Sequence, residues 1–148
     1  MKKIFILLLI SGLYACHHRD PYEKSREVYE QTMDIHDEVM PKMGEVLGVK
    51  HSLKLKLDSI TDLNIKTEMD SAMSELDKTY QEMMNWMAKI QPVPGKMHEG
   101  GETLQPNNEE TPPPDEMLKI QQESLQQINK IKSQMEKSLK KGKDLLNN

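Results

Sequence analysis

Apolar side chains return along this chain at the three- and four-residue steps of an α-helix, in three stretches separated by one short and one long polar break. In the first stretch, residues 22–58, Tyr29, Met33, His36, Met40, Met43 and Leu47 form one stripe. Val28, Ile35, Val39, Val46 and Val49 run beside it, so the spacing predicts a helix with a wide core-facing side. Pro41 sits inside the stripe without shifting its phase, which predicts a continuous but bent helix. Residues 58–62 (Asp-Ser-Ile-Thr-Asp) predict a short turn rich in capping side chains. Over residues 62–90, Met69, Met73, Leu76, Tyr80, Met83, Met87 and Ile90 alternate steps of four and three, the heptad seam of knobs-into-holes packing. Two long helices joined by so short a turn are antiparallel neighbours.

Residues 91–114 break the pattern. They hold six of the eight prolines, the Gly100-Gly101 and Asn107-Asn108 pairs and almost no large apolar side chains, a composition that predicts a disordered linker. A third helix is predicted over 115–146, capped by Asp115, with Leu118, Leu125, Ile128, Ile131, Met135, Leu139 and Leu145 on one side. From Glu116 onward the chain carries seven lysines and four acids, whereas residues 20–90 sum to −6, so the basic helix is expected to pack on the acidic hairpin. The predicted fold class is therefore all-α, an antiparallel helical hairpin plus a third helix forming a three-helix bundle. The direction of the third helix is open, because the linker can reach either end of the hairpin.

The first residues change the picture of where such a bundle works. Met1-Lys2-Lys3 is followed by the unbroken apolar run Ile4 to Ile10 and then Ser11-Gly12-Leu13-Tyr14-Ala15-Cys16, the build of a secretory signal over residues 1–15. The run is far below the roughly 20 apolar residues of a spanning helix. Leu13, Ala15 and Cys16 resemble the lipobox of bacterial lipoproteins, which implies that Cys16 becomes an acylated mature N-terminus. Several acyl chains hold a protein stably on a bilayer, at about 0.8 kcal/mol per buried methylene. Residues 16–21, including His17 and His18, then read as a solvated tether. The expected location is the bacterial cell envelope, anchored by lipid to the outer membrane and facing the periplasm, since no acidic run follows Cys16.

Composition narrows the chemistry. The net charge is −4, and −6 once residues 1–15 are removed, against the basic face of a nucleic-acid binder. One cysteine excludes an intrachain disulfide and a Cys-cluster metal site, and the seven glycines form no phosphate loop. Asp34, Asp37 and Glu38 around His36 read as a solvated helix face, and His51 and His98 lack partners at ligand spacing. No serine or cysteine nucleophile has a recognisable setting, so the chain is read as non-enzymatic and without a cofactor. The methionines offer the one alternative. Twelve are present, and a hairpin folded about Thr61 sets His36 opposite Met87 and Met40 opposite Met83, with Met33 and Trp86 nearby. Thioethers with one imidazole suit Cu(I), so Met33, His36, Met40, Met83, Met84 and Met87 form a candidate metal set, with the Trp86 ring as a shield. Against it stands the ordinary use of methionine as filler in helical cores, or as an adaptable groove for a partner helix.

The run Met33-Asp34-Ile35-His36-Asp37-Glu38-Val39-Met40-Pro41-Lys42-Met43-Gly44-Glu45, followed by Met83-Met84-Asn85-Trp86-Met87 ahead of a proline-rich break, resembles a group of small lipoproteins from Bacteroidetes-type bacteria. Some of these carry the label "viral A-type inclusion protein". The chain is read as acting by binding or scaffolding, with the membrane and an envelope protein as partners; the resemblance spans nearly the whole chain and implies a helical, lipid-anchored envelope protein. It implies no activity and no functional residues.

Overall fold

The computed structural model describes residues 20–95 and 111–147. The predicted leader, Cys16, most of the predicted tether and the 96–110 part of the predicted linker lie outside the described residues. Three helices make up the described chain: α1 (Glu23–Leu57), α2 (Leu63–Met87) and α3 (Pro114–Asn147), with no strand among the described residues. α1 passes through Pro41 without interruption. The proline faces solvent, where the carbonyl that loses its donor can be hydrated. Asp62 caps α2, its carboxylate accepting from the Asn64 and Ile65 amides at 2.8 and 3.3 Å. α3 begins at Pro114, one residue before the predicted cap. Proline at the first helical position needs no N–H, and the Met117 amide already donates to the Pro113 carbonyl at 2.9 Å. α2 ends three residues early, at Met87, and Ile90 returns against the core through a turn ahead of Pro92.

The direction of α3 follows from its partners. Along α1, Glu38 meets Lys132, Lys42 meets Glu136, Glu45 meets Lys143, and Lys56 donates to the Leu145 and Leu146 carbonyls, so the two helices advance together. Along α2 the order reverses: Trp86 pairs with Ser124, Glu75 with Lys141. α3 is parallel to α1, antiparallel to α2, and packs on both. Three of these four inter-helix ion pairs join an α3 lysine to a hairpin acid, as the charge division predicts.

The buried seams are rotated from the predicted ones by about one residue. On α2 the centre is Met69, Ala72, Leu76, Thr79, Met83 and Trp86, with Met73, Tyr80 and Met87 half-buried beside it. On α1 it is Ser25, Tyr29, Thr32, His36, Val39, Met43, Val46, Val49 and Leu53, while Met40 and Leu47 are exposed. On α3, Met117, Gln121, Ser138 and Gly142 join the apolar residues, and Leu118, Leu125 and Leu145 stand at the margin. Three of the polar side chains on these seams are satisfied within their own helices. Thr32, Thr79 and Ser138 bond their hydroxyls to the carbonyls of Val28, Glu75 and Met135 in their own helices, at 2.8, 2.8 and 3.0 Å. Satisfied that way, they present methyls or small surfaces to the neighbouring helix.

Part of the predicted linker is packed. Val93 and Pro94 are buried, and Val93 shares a second cluster with Tyr22, Tyr29 and Met117. The Pro94 carbonyl accepts from Arg26 Nη1 (3.1 Å), that of Gln91 from Gln121 Nε2 (2.9 Å), and that of Pro112 from the Tyr22 hydroxyl (3.0 Å). Gly95 then turns the chain with φ +82°, a conformation that favours glycine.

At the other end α3 approaches α1 so closely that a Cβ on Gly142 would lie 2.6 Å from Val49 Cγ1, and 3.4–3.5 Å from Leu76 and Leu53 methyls. Gly142→Ala is expected to lower unfolding stability by about 1–3 kcal/mol through overpacking, despite alanine's better helix propensity. Val49→Ala, added to it, should recover much of that loss in a double-mutant cycle followed by thermal unfolding.

Candidate functional site

His36 and Trp86 form the most concentrated chemistry in the described chain. α1 and α2 bring their rings together at a centroid distance of 5.8 Å and an interplanar angle of 30°. The indole Nε1–H donates to the Ser124 hydroxyl at 3.1 Å and to its carbonyl at 3.3 Å, which ties the pair to α3. His36 Nδ1 lies 2.9 Å from Asp37 Oδ1; a carboxylate only accepts, so Nδ1 carries the proton. Both rings are buried, His36 at 6% exposure.

The six residues proposed for Cu(I) fall into different environments. Met83 is fully buried in the main core and Met87 is half-buried against it. Met33 packs on the separate cluster around Tyr22, Tyr29, Val93 and Met117. Met40 and Met84 are exposed at 38% and 43%. The five sulfurs thus differ in burial, from core to surface, and the ring contact at this place joins His36 to Trp86. The rotation of the α1 seam leaves Met40 exposed. Among the described residues no group of three or more His, Cys, Asp or Glu side chains is placed to hold a metal ion.

Beside Trp86, an open groove of about 210 Å³ runs between α2 and α3, lined by Glu82, Asn85, Lys89, Gln127, Lys130, Ile131 and Gln134. Glu82 Oε2 and Gln134 Oε1 are shielded there without a hydrogen-bond partner. The groove offers an apolar floor and two ammonium groups, but it is smaller than the clefts that bury a drug-sized ligand. Sequence reasoning missed it, because its two walls meet only once the direction of α3 is known. The single usable signal was Trp86, the one tryptophan of the chain.

Further surface clefts lie along the ion-pair lines, one around Lys42, Glu45, Glu136 and Lys143, another around Glu75, Lys137 and Lys141. The Lys132 ammonium hydrogen-bonded to Glu38 holds that carboxyl below its ordinary value of 4.5, and Lys141 does the same for Glu75. Glu136 beside Lys42 pushes the ammonium above 10.5. No helix among the described residues is long and apolar enough to cross a membrane. The chain matches no protein-family model, no curated protein and no solved structure.

Lowered carboxyl values stabilise the fold above the unfolded-state value and lose that contribution as pH falls through the folded one; the raised lysine stabilises below its unfolded value and loses it as pH climbs. The melting temperature is therefore expected to be level between about pH 5 and 10 and to fall on both sides. Circular dichroism melts should show a shallower acid limb in a Glu38→Gln/Glu75→Gln variant.

Proposed function

We propose that this chain is a lipid-anchored protein of the bacterial envelope that acts without catalysis, as a binding or scaffolding module on the periplasmic face of the outer membrane. The observation that carries the reading is the N-terminal order: a basic start, the run Ile4 to Ile10, then Leu13-Tyr14-Ala15-Cys16, with the only sulfhydryl at the cut. Acylation would give that lone thiol a use in an oxidising compartment. The likeness to small Bacteroidetes-type lipoproteins points the same way.

The bundle suits a short anchor. Seven residue steps separate Cys16 from Glu23, the first residue of α1, and an extended chain covers at most about 25 Å over that length. The bilayer surface would then lie within that distance of one end of the bundle, the end where α1 starts, α2 finishes and α3 starts. This end carries the Tyr22–Pro112 hydrogen bond and the Arg26–Asp20 ion pair at 2.6 Å, which fix the chain as it enters the first helix. The opposite end carries the exposed Leu63 and Ile65 and is left for contact with an envelope partner.

In the native host, mass spectrometry of the mature protein should find Cys16 as an acylated N-terminus, and Cys16→Ser should move the protein from membrane to soluble fractions with unchanged helicity. An uncut leader, or a Cys16→Ser protein that stays with the membrane after a salt wash, would overturn the reading.

A further inference from the structure

Outside the core, α1 carries a second apolar line: Met40, Leu47 and Leu55 are 38%, 48% and 63% exposed. With Gly44, Gly48 and His51 they recur at three- and four-residue steps on the side of α1 turned to solvent. A Cβ added at Gly44 or Gly48 would meet nothing within 4 Å, so the middle of this face is open to a closely approaching backbone. An apolar line on a helix otherwise rich in charge calls for a cover.

Charge identifies the cover. Asp34 and Asp37 precede the open centre of this face, and His51 and Lys54 follow it at matching distances. The α1 charges Glu38, Lys42, Glu45 and Lys50 are paired with α2 or α3. Asp34, His51 and Lys54 have no ionic partner among the described residues, and Asp37 touches only the neighbouring imidazole. A helix with an acidic half, a small centre and a basic half is complementary to itself run backwards. We propose that this face is where a second copy of the chain docks, with the two α1 helices antiparallel and crossing at Gly44 about a twofold axis. Positions equally far from Gly44 then meet across the axis. Asp34 faces the partner's Lys54, Asp37 the partner's His51, Met40 the partner's Gly48, Leu47 the partner's Pro41, and Leu55 the partner's half-buried Met33. Each pairing occurs twice, and over residues 33–55 no two like charges are set opposite each other. The proposal is independent of the lipid anchor.

The test uses the full chain carrying Cys16→Ser, which removes the native thiol. Sedimentation equilibrium should show a concentration-dependent monomer–dimer exchange. Leu47→Glu and Asp34→Lys should each weaken it at least about tenfold while circular dichroism reports the same helicity and melting temperature, since both side chains are exposed and lie outside the core. Asp34→Lys combined with Lys54→Asp restores opposite charges across the axis and should recover most of the affinity. Gly44→Cys should form a disulfide-linked dimer on mild oxidation, because its bond needs Cα atoms within about 7 Å. A chain that stays monomeric at every concentration overturns the proposal and leaves the face to a different protein. So does a dimer that is indifferent to Leu47→Glu and leaves Gly44→Cys reduced.

Discussion

How closely α3 can lie in the groove of the α1–α2 hairpin decides the rest of this structure. At one end Gly142 lets the backbone of α3 come within reach of the Val49 methyls, where any side chain would collide. At the other, Gln121 is wholly buried and holds the Gln91 carbonyl, so the chain leaving α2 is fastened to the helix it has yet to form. Between these points Glu38, Lys42, Glu45 and Glu75 meet their α3 partners in one order and one direction. Each surface pair contributes little, but a reversed α3 would place these charges against the wrong partners. The apolar seam supplies the attraction, and the glycine and the charges choose the geometry.

The core is less oily than its methionine content suggests. Thr32, Thr79 and Ser138 occupy central seam positions because their hydroxyls are already bonded within their own helices. Small and self-satisfied, they allow tight helix approach, while larger residues such as Met40 and Leu47 lie on the surface. That arrangement leaves the outward face of α1 through which we propose the chain pairs with itself.

Much of this was legible in the residues. Three helices, the capping aspartate at 62, uninterrupted passage through Pro41 and the division of charge between hairpin and third helix all follow from spacing and composition. The rotation of the seams was not legible, because a count of apolar letters cannot see a threonine whose hydroxyl is spent on its own helix. The packing of Val93 and Pro94 was hidden in a proline-rich stretch whose average composition argues for disorder, though Val93 joins the cluster of Tyr22 and Tyr29 and the Pro94 carbonyl holds Arg26. The His36–Trp86 stack lay within reach of simple hairpin geometry. The groove on the far side of Trp86 did not, since it depends on the course of α3.

The central claim is that α3 runs parallel to α1 in the hairpin groove, and paired spin labels measure this directly. In the Cys16→Ser chain, diluted with unlabelled protein, labels at Lys24 and Glu116 should report a short distance, because both sit at the end where α1 and α3 begin. Labels at Lys24 and Asp144 should be farther apart by about 40 Å, the rise of the intervening helix. A short distance for Lys24–Asp144 and a long one for Lys24–Glu116 would contradict the account.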